Sequence, residues 1–197
     1  GRLRAHSRLS APRGAWSDDT AMALCLAESL LESSGFSARD QVARYARWQQ
    51  DGHLSATGQC IGITASVARA LAAAQWRRQP FAGSHDPKHL PPDPLTRVAP
   101  SVLYFFASPA DAIAQAAEAA RPTAQAPELL SACRLFAAML HGALSGQPRE
   151  QFLAPPRTLW GGPKLSPRIE QLAAGGWREL ERNALKPAGD AIDLLTA

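Results

Sequence analysis

Cysteine is scarce in this chain of 197 residues: there are three, Cys25, Cys60 and Cys133, and none stands at C-x-x-C or other metal-finger spacing. An odd, widely spaced set offers no disulfide framework and no structural zinc site, and it predicts a reducing, cytoplasmic home. Long apolar runs are missing as well. No window approaches the ~18 uninterrupted apolar residues of a membrane span, and the opening Gly-Arg-Leu-Arg-Ala-His lacks the apolar stretch of a secretion signal, so no membrane partner is expected. Charge of one sign is barely in excess, with 21 Lys+Arg against 17 Asp+Glu for a formal net charge of +4. The arginines are scattered rather than gathered in a run, so no nucleic-acid partner is expected either. Alternation of β-branched residues is rare while alanine is abundant, which predicts an all-α protein.

What is present is helical punctuation. With 46% hydrophobic residues the chain can bury one core, and residues 1–197 read as a single helical domain. Ser17 precedes a helix to about Ser33, with Asp18 and Asp19 in the first turn and Gly35 closing it. Further helices are predicted over Ala38–Gln50, ended by Asp51-Gly52, and over Thr64–Arg77. Residues 79–94 form a long loop with five prolines and two histidines. Leu95 to Phe106 is apolar apart from Arg97. Ser108-Pro109 opens a helix to about Ala120, Pro127 opens the longest one, to about Leu144, Ser166-Pro167 opens a short one, and the last starts near Pro187. The segment Pro127–Leu144 is apolar on several sides, which places it at the centre of a bundle beside Ser17–Ser33.

The feature with most chemical content is Trp16-Ser17-Asp18-Asp19-Thr20. Consecutive oxygen-bearing side chains at a helix start suit a hard cation such as Mg²⁺ or Mn²⁺, and two adjacent carboxylates repel unless a cation or the helix dipole compensates. A capped helix with an acidic first turn explains the same residues without any metal. Other positions leave similar choices. Trp16 stacks on a ligand base or packs as a staple on its own helix. Arg97 pairs with a phosphate or caps a buried carbonyl. His85 and His89 are four apart, but Pro87 between them favours a loop over a metal-binding helix face. His141 near a helix end, and Cys25 and Cys133 on apolar faces, read as core.

The run from Gly14 to Leu31, Gly-Ala-Trp-Ser-Asp-Asp-Thr-Ala-Met-Ala-Leu-Cys-Leu-Ala-Glu-Ser-Leu-Leu, closely resembles the signature of the ADP-ribosylglycohydrolase family, the dinitrogenase-reductase-activating type. Cys60-Ile61-Gly62-Ile63-Thr64, Pro80-Phe81-Ala82-Gly83-Ser84, Arg97-Val98-Ala99-Pro100, Leu165-Ser166-Pro167-Arg168 and Gly175-Gly176-Trp177 agree in the same order. The resemblance implies a compact all-helical bundle. It also implies Mg²⁺- or Mn²⁺-dependent hydrolysis of the N- or O-glycosidic bond that links ADP-ribose to a protein side chain. On this chain Ser17, Asp18 and Asp19 would hold metal, with Asp18 and Asp19 catalytic, and Trp16, Arg97 and Thr123 would touch substrate. ADP-ribose or an ADP-ribosylated protein would be the partner.

The same comparison marks departures. The family's Asp-x-Asp-Thr metal motif and its first helix have no counterpart here, so the fold is expected to be incomplete at both ends. An aromatic-Asp pair is missing before Ile61-Gly62, Gly-Asn-Gly-Ser is replaced by Pro91-Pro92-Asp93-Pro94, and Thr-His is replaced by Thr123-Ala124. Proline removes the N–H donors and glycine the close approach that cradle a ligand. Two functions are therefore weighed: an impaired metal-dependent hydrolase that binds Mg²⁺ weakly, and an inactive relative that survives as an ADP-ribose-binding or protein-interaction module.

Overall fold

In the computed structural model residues 11–159, 164–179 and 190–196 are described. Those residues form ten α-helices and no strand, with one isolated parallel bridge between Ser84 and Ala124. They are α1 (Asp18–Glu32), α2 (Ala38–Asp51), α3 (Ala65–Arg77), α4 (Asp93–Arg97), α5 (Ala99–Tyr104), α6 (Pro109–Ala120), α7 (Pro127–Leu144), α8 (Arg149–Phe152), α9 (Pro167–Ala173) and α10 (Ala191–Thr196). The all-α expectation holds, and the start expected for the last helix near Pro187 lies outside the described residues.

Local chemistry accounts for most boundaries. Ser37, Thr64 and Ser108 each accept a hydrogen bond from the backbone N–H three residues on, capping α2, α3 and α6. Gly52 closes α2 in the left-handed conformation, φ +67°, as its sequence position predicts. Two ends differ from the sequence reading. Ser17 sits at the start of α1, yet its side chain caps no backbone N–H. After α1 the left-handed residue is Ser34, φ +51°, while Gly35 N–H bonds back to the Leu30 carbonyl. The apolar stretch from Leu95 is two short helices that meet at Val98, with Pro100 in the first turn of the second.

The largest core lies between α6 and α7. Ala112, Ala116, Ala120, Ala132 and Ala138 are buried there, and such small side chains let two helices approach closely around Ile113, Leu129 and Leu135. Helix α1 packs on α2, α4 and α5, with Met22 and Cys25 buried against Tyr45, Trp48 and Leu71. Polar ties fix these layers. Gln41 donates to the Ala119 carbonyl at 2.8 Å and to Tyr45 Oη at 2.9 Å, linking α2 to α6. Glu28 on α1 pairs with Arg44 on α2 and with His53 Nε2 at 2.6 Å. Helix α1, whose first turn carries Asp18 and Asp19, thus packs against both α2 and α4.

Candidate active site

Asp18 and Asp19 are the first two residues of α1, where the unsatisfied N–H groups and the helix dipole favour negative charge. Asp19 is fixed from across the fold. The Thr96 hydroxyl, 77 residues away on α4, lies 2.6 Å from Asp19 Oδ1 and donates to it. That hydroxyl is also 2.8 Å from the Asp93 carbonyl and has one proton for both acceptors. Asp18 has different surroundings. The neighbouring Ser17 hydroxyl favours its charged form, and Gly62 passes so close that a Cβ there would stand 2.4 Å from Asp18 Oδ1. Burial pushes the Asp18 carboxyl above the usual range, and the charges of Asp19 and then Asp93 add to the rise.

Asp93 is the residue that sequence reasoning missed. It is buried at the start of α4 and accepts from the Thr64 hydroxyl at 3.2 Å, so the N-terminus of α3 joins the same corner. Its only signal in the sequence was an aspartate standing amid prolines where glycine was expected. Cys60 also belongs here: burial, then the Asp18 charge, pushes its thiol up and keeps it a soft, uncharged donor that hard cations do not seek. Among the described residues, no group of three or more His, Cys, Asp and Glu side chains is arranged to hold a metal ion.

The other residues singled out in the sequence go elsewhere. Trp16 donates from Nε1 to the Leu54 carbonyl at 3.0 Å and leaves its ring 41% exposed at the rim. Arg97 and Thr123 are brought together: Arg97 lies in the core, while Thr123, almost fully buried, also lines a polar groove along α3. The Arg97 guanidinium is fully buried, donates to the Thr123 hydroxyl, lies 3.7 Å from Met22 sulfur, and sits over the Tyr45 ring at 5.6 Å from its centroid. Its Nε has no hydrogen-bond partner. His89 bonds Ser66 Oγ at 2.6 Å, and His141 bonds the Phe106 carbonyl at 3.0 Å and stacks on that ring.

Ser66 and His89 open a polar groove of about 490 Å³ that runs along α3 past Arg69 to Arg77, with Ser84 and His85 on its far wall. Ser66 stands two residues beyond Thr64, whose hydroxyl bonds Asp93, so the groove starts near the acidic corner. Exposed guanidinium and imidazole groups over hydroxyls can donate to a phosphate, and Asp86 is the one carboxylate in the lining.

An acid pair at a helix start, a glycine pressed on the first carboxylate and a groove lined by guanidinium, imidazole and hydroxyl groups, with Asp86 among them, make up the candidate site. The profile of the ADP-ribosylglycohydrolase family matches residues 2–195. The chain belongs to the ADP-ribosylglycohydrolase family. It is 31% identical over 186 residues to an ADP-ribosylarginine hydrolase Tri1 of Pseudomonas putida (strain GB-1), covering 93% of this chain and 48% of that protein. To the protein of the same name in Serratia proteamaculans (strain 568) it is 27% identical over 184 residues, covering 93% and 49%. A solved structure titled as an ADP-ribosylglycohydrolase-related protein complex superposes with a TM-score of 0.74 at 35% identity, covering 94% of this chain and 58% of that one. This ADP-ribosylglycohydrolase-family chain thus spans about half the length of the curated relatives it matches.

Proposed function

We propose that this chain carries part of a metal-dependent ADP-ribosylglycohydrolase site, of the kind that acts on ADP-ribosylated arginine, and that alone it binds ADP-ribose better than it turns over. The observation that carries the reading is the corner where Asp18, Asp19 and Thr96 converge under Gly62. Its donors are all oxygen, which fits Mg²⁺ or Mn²⁺. The fit is that of a partial shell, because two adjacent carboxylates and the Ser17 hydroxyl leave most positions of an octahedral ion to water, and binding is expected to be weak. An ion held there would activate water toward the anomeric carbon of the ribose.

The chain's own groups then divide the work. Asp18 and Asp19 would hold and partly neutralise the ion, Thr96 holds Asp19 in place, and the α3 groove would take the pyrophosphate on Arg69, Arg77 and His85. Asp93 is the third carboxylate of the corner, but it accepts from Thr64, and no group of three among the described residues is arranged to hold an ion; the glycine-lined cradle is also replaced, by Pro91, Pro92 and Pro94. Each missing preorganised group commonly costs ~10²–10³ in rate, so turnover is expected near background.

Calorimetry separates this from the second reading, an inactive protein-interaction module. ADP-ribose should bind the chain, and Mn²⁺ should tighten that binding in the wild type and in neither Asp18→Ala nor Asp19→Ala. Absence of ADP-ribose binding with and without Mn²⁺ refutes the proposal.

A further inference from the structure

We infer that the groove between α2 and the C-terminal turn of α3 docks an acidic, amphipathic segment of a protein partner. The groove has a volume of about 560 Å³ and an apolar floor made by Val42, Ala46, Ala74 and Pro80. Its rim carries Arg39, Arg47 and Arg78, and neither an aspartate nor a glutamate lines it. Among the described residues no carboxylate pairs with any of the three, and Arg47 reaches only His53 Nδ1, at 3.3 Å. Asp40, next to Arg39 in sequence, turns its carboxylate to Arg44. Three like charges around an apolar floor repel each other and leave the floor wet until an anionic, partly apolar ligand covers both.

Arg78 adds a second observation. It ends α3 in the left-handed conformation, φ +53° and ψ +35°, where glycine is favoured and a side chain is strained. The strain places a guanidinium on the rim, and strain of this kind collects at functional positions. No aromatic ring lines the groove floor, which disfavours stacked bases and favours aliphatic side chains of a peptide. The groove stands at the opposite end of the 13-residue α3 from Thr64, about 20 Å along the helix at about 1.5 Å per residue, so it is separate from the acidic corner.

The test uses the whole chain and a fluorescein-labelled helix-forming peptide of about 16 residues, with Leu on one face and Glu on the other, read by anisotropy. Saturable binding that weakens with salt is expected, and the Arg39→Gln/Arg47→Gln/Arg78→Gly variant should bind about tenfold or more weakly, three exposed ion pairs each contributing a few-fold. Arg78→Gly alone should lower affinity while its Tm stays the same or rises, an outcome that loss of folding cannot imitate. The inference is overturned by no saturable binding at low salt, by equal binding to the triple variant, or by equal binding of a peptide with Lys in place of Glu. Tighter binding of a single-stranded oligonucleotide or of phosphatidylserine vesicles than of the peptide would also overturn it.

Discussion

Gly62→Ala isolates the geometry of the acidic corner better than removing a carboxylate does. The added Cβ would stand 2.4 Å from Asp18 Oδ1 and 3.0 Å from its Cγ, and ordinary contact begins at 3.4 Å, so the carboxylate oxygen has to move by 3.4 − 2.4 = 1.0 Å. A displacement of about 1 Å in a positioned group can cost ~10² in function. The backbone adds its own penalty, because φ at Gly62 is +84° and an L side chain in that region costs roughly 1–2 kcal/mol, or about 2–8 °C in Tm for a chain of this size. Gly14→Ala provides the control: its φ is +85° and nothing lies within 4 Å of the added Cβ, so it carries the strain without the collision. Mn²⁺ binding, followed by the paramagnetic relaxation of water, should collapse in Gly62→Ala and persist in Gly14→Ala, with similar losses of Tm. Equal Mn²⁺ affinity in the two variants would show that Asp18 does not need its present position, and the argument for the corner would fail.

Two further outcomes follow from buried charge. Burial, with Asp19 second, raises the Asp18 carboxyl above its unfolded value of 3.8, so the folded state holds a proton that the unfolded state has released; the contribution of Asp18 to stability should be most favourable at low pH and fall as pH rises through the folded value. Asp18→Asn should remove that fall in urea midpoints measured across pH, and an unchanged profile would contradict the environment described for Asp18. Glu28 has the opposite sign: burial raises its carboxyl, but hydrogen bonds from His53 and Arg44 outweigh it and hold it low, so its contribution is present near neutral pH and lost as pH falls through the folded value. Glu28→Gln should therefore flatten the acid limb of the same profile. Arg97, buried without a carboxylate, should be replaceable by Met within about 1 kcal/mol, since Thr123 keeps the Ala120 carbonyl as an acceptor, whereas Arg97→Ala should cost about 2–5 kcal/mol through the cavity it leaves. Thermal unfolding in which Met is as damaging as Ala would show that the charge itself is required.

How far the chain could be read in advance depended on the range of the interactions. The start of α1, the Gly52 stop and the Ser108 cap of α6 involve residues within a few positions of one another and were legible as such, whereas Ser37 and Thr64 are caps that the sequence reading did not name. The apolar stretch divides into α4 and α5 at Val98, just before Pro100 in the first turn of α5, a local signal that the sequence reading of Leu95 to Phe106 passed over. In the site, Ser17-Asp18-Asp19 was legible as a motif, whereas Thr96 on Asp19 and Gly62 on Asp18 join segments tens of residues apart. Arg97 shows the same limit. Phosphate and carbonyl were the partners its chemistry suggested, and the fold supplies a hydroxyl, a sulfur and an aromatic face instead.

The most direct test of the proposed function is ADP-ribose release from an ADP-ribosylated arginine protein by the whole 197-residue chain with Mg²⁺ or Mn²⁺. The account predicts release near background, changed little by Asp18→Ala or Asp19→Ala, even where ADP-ribose itself binds. Robust release that disappears in either variant would contradict it, because it would mean that this chain, or an assembly of it, completes the site that Asp18 and Asp19 begin.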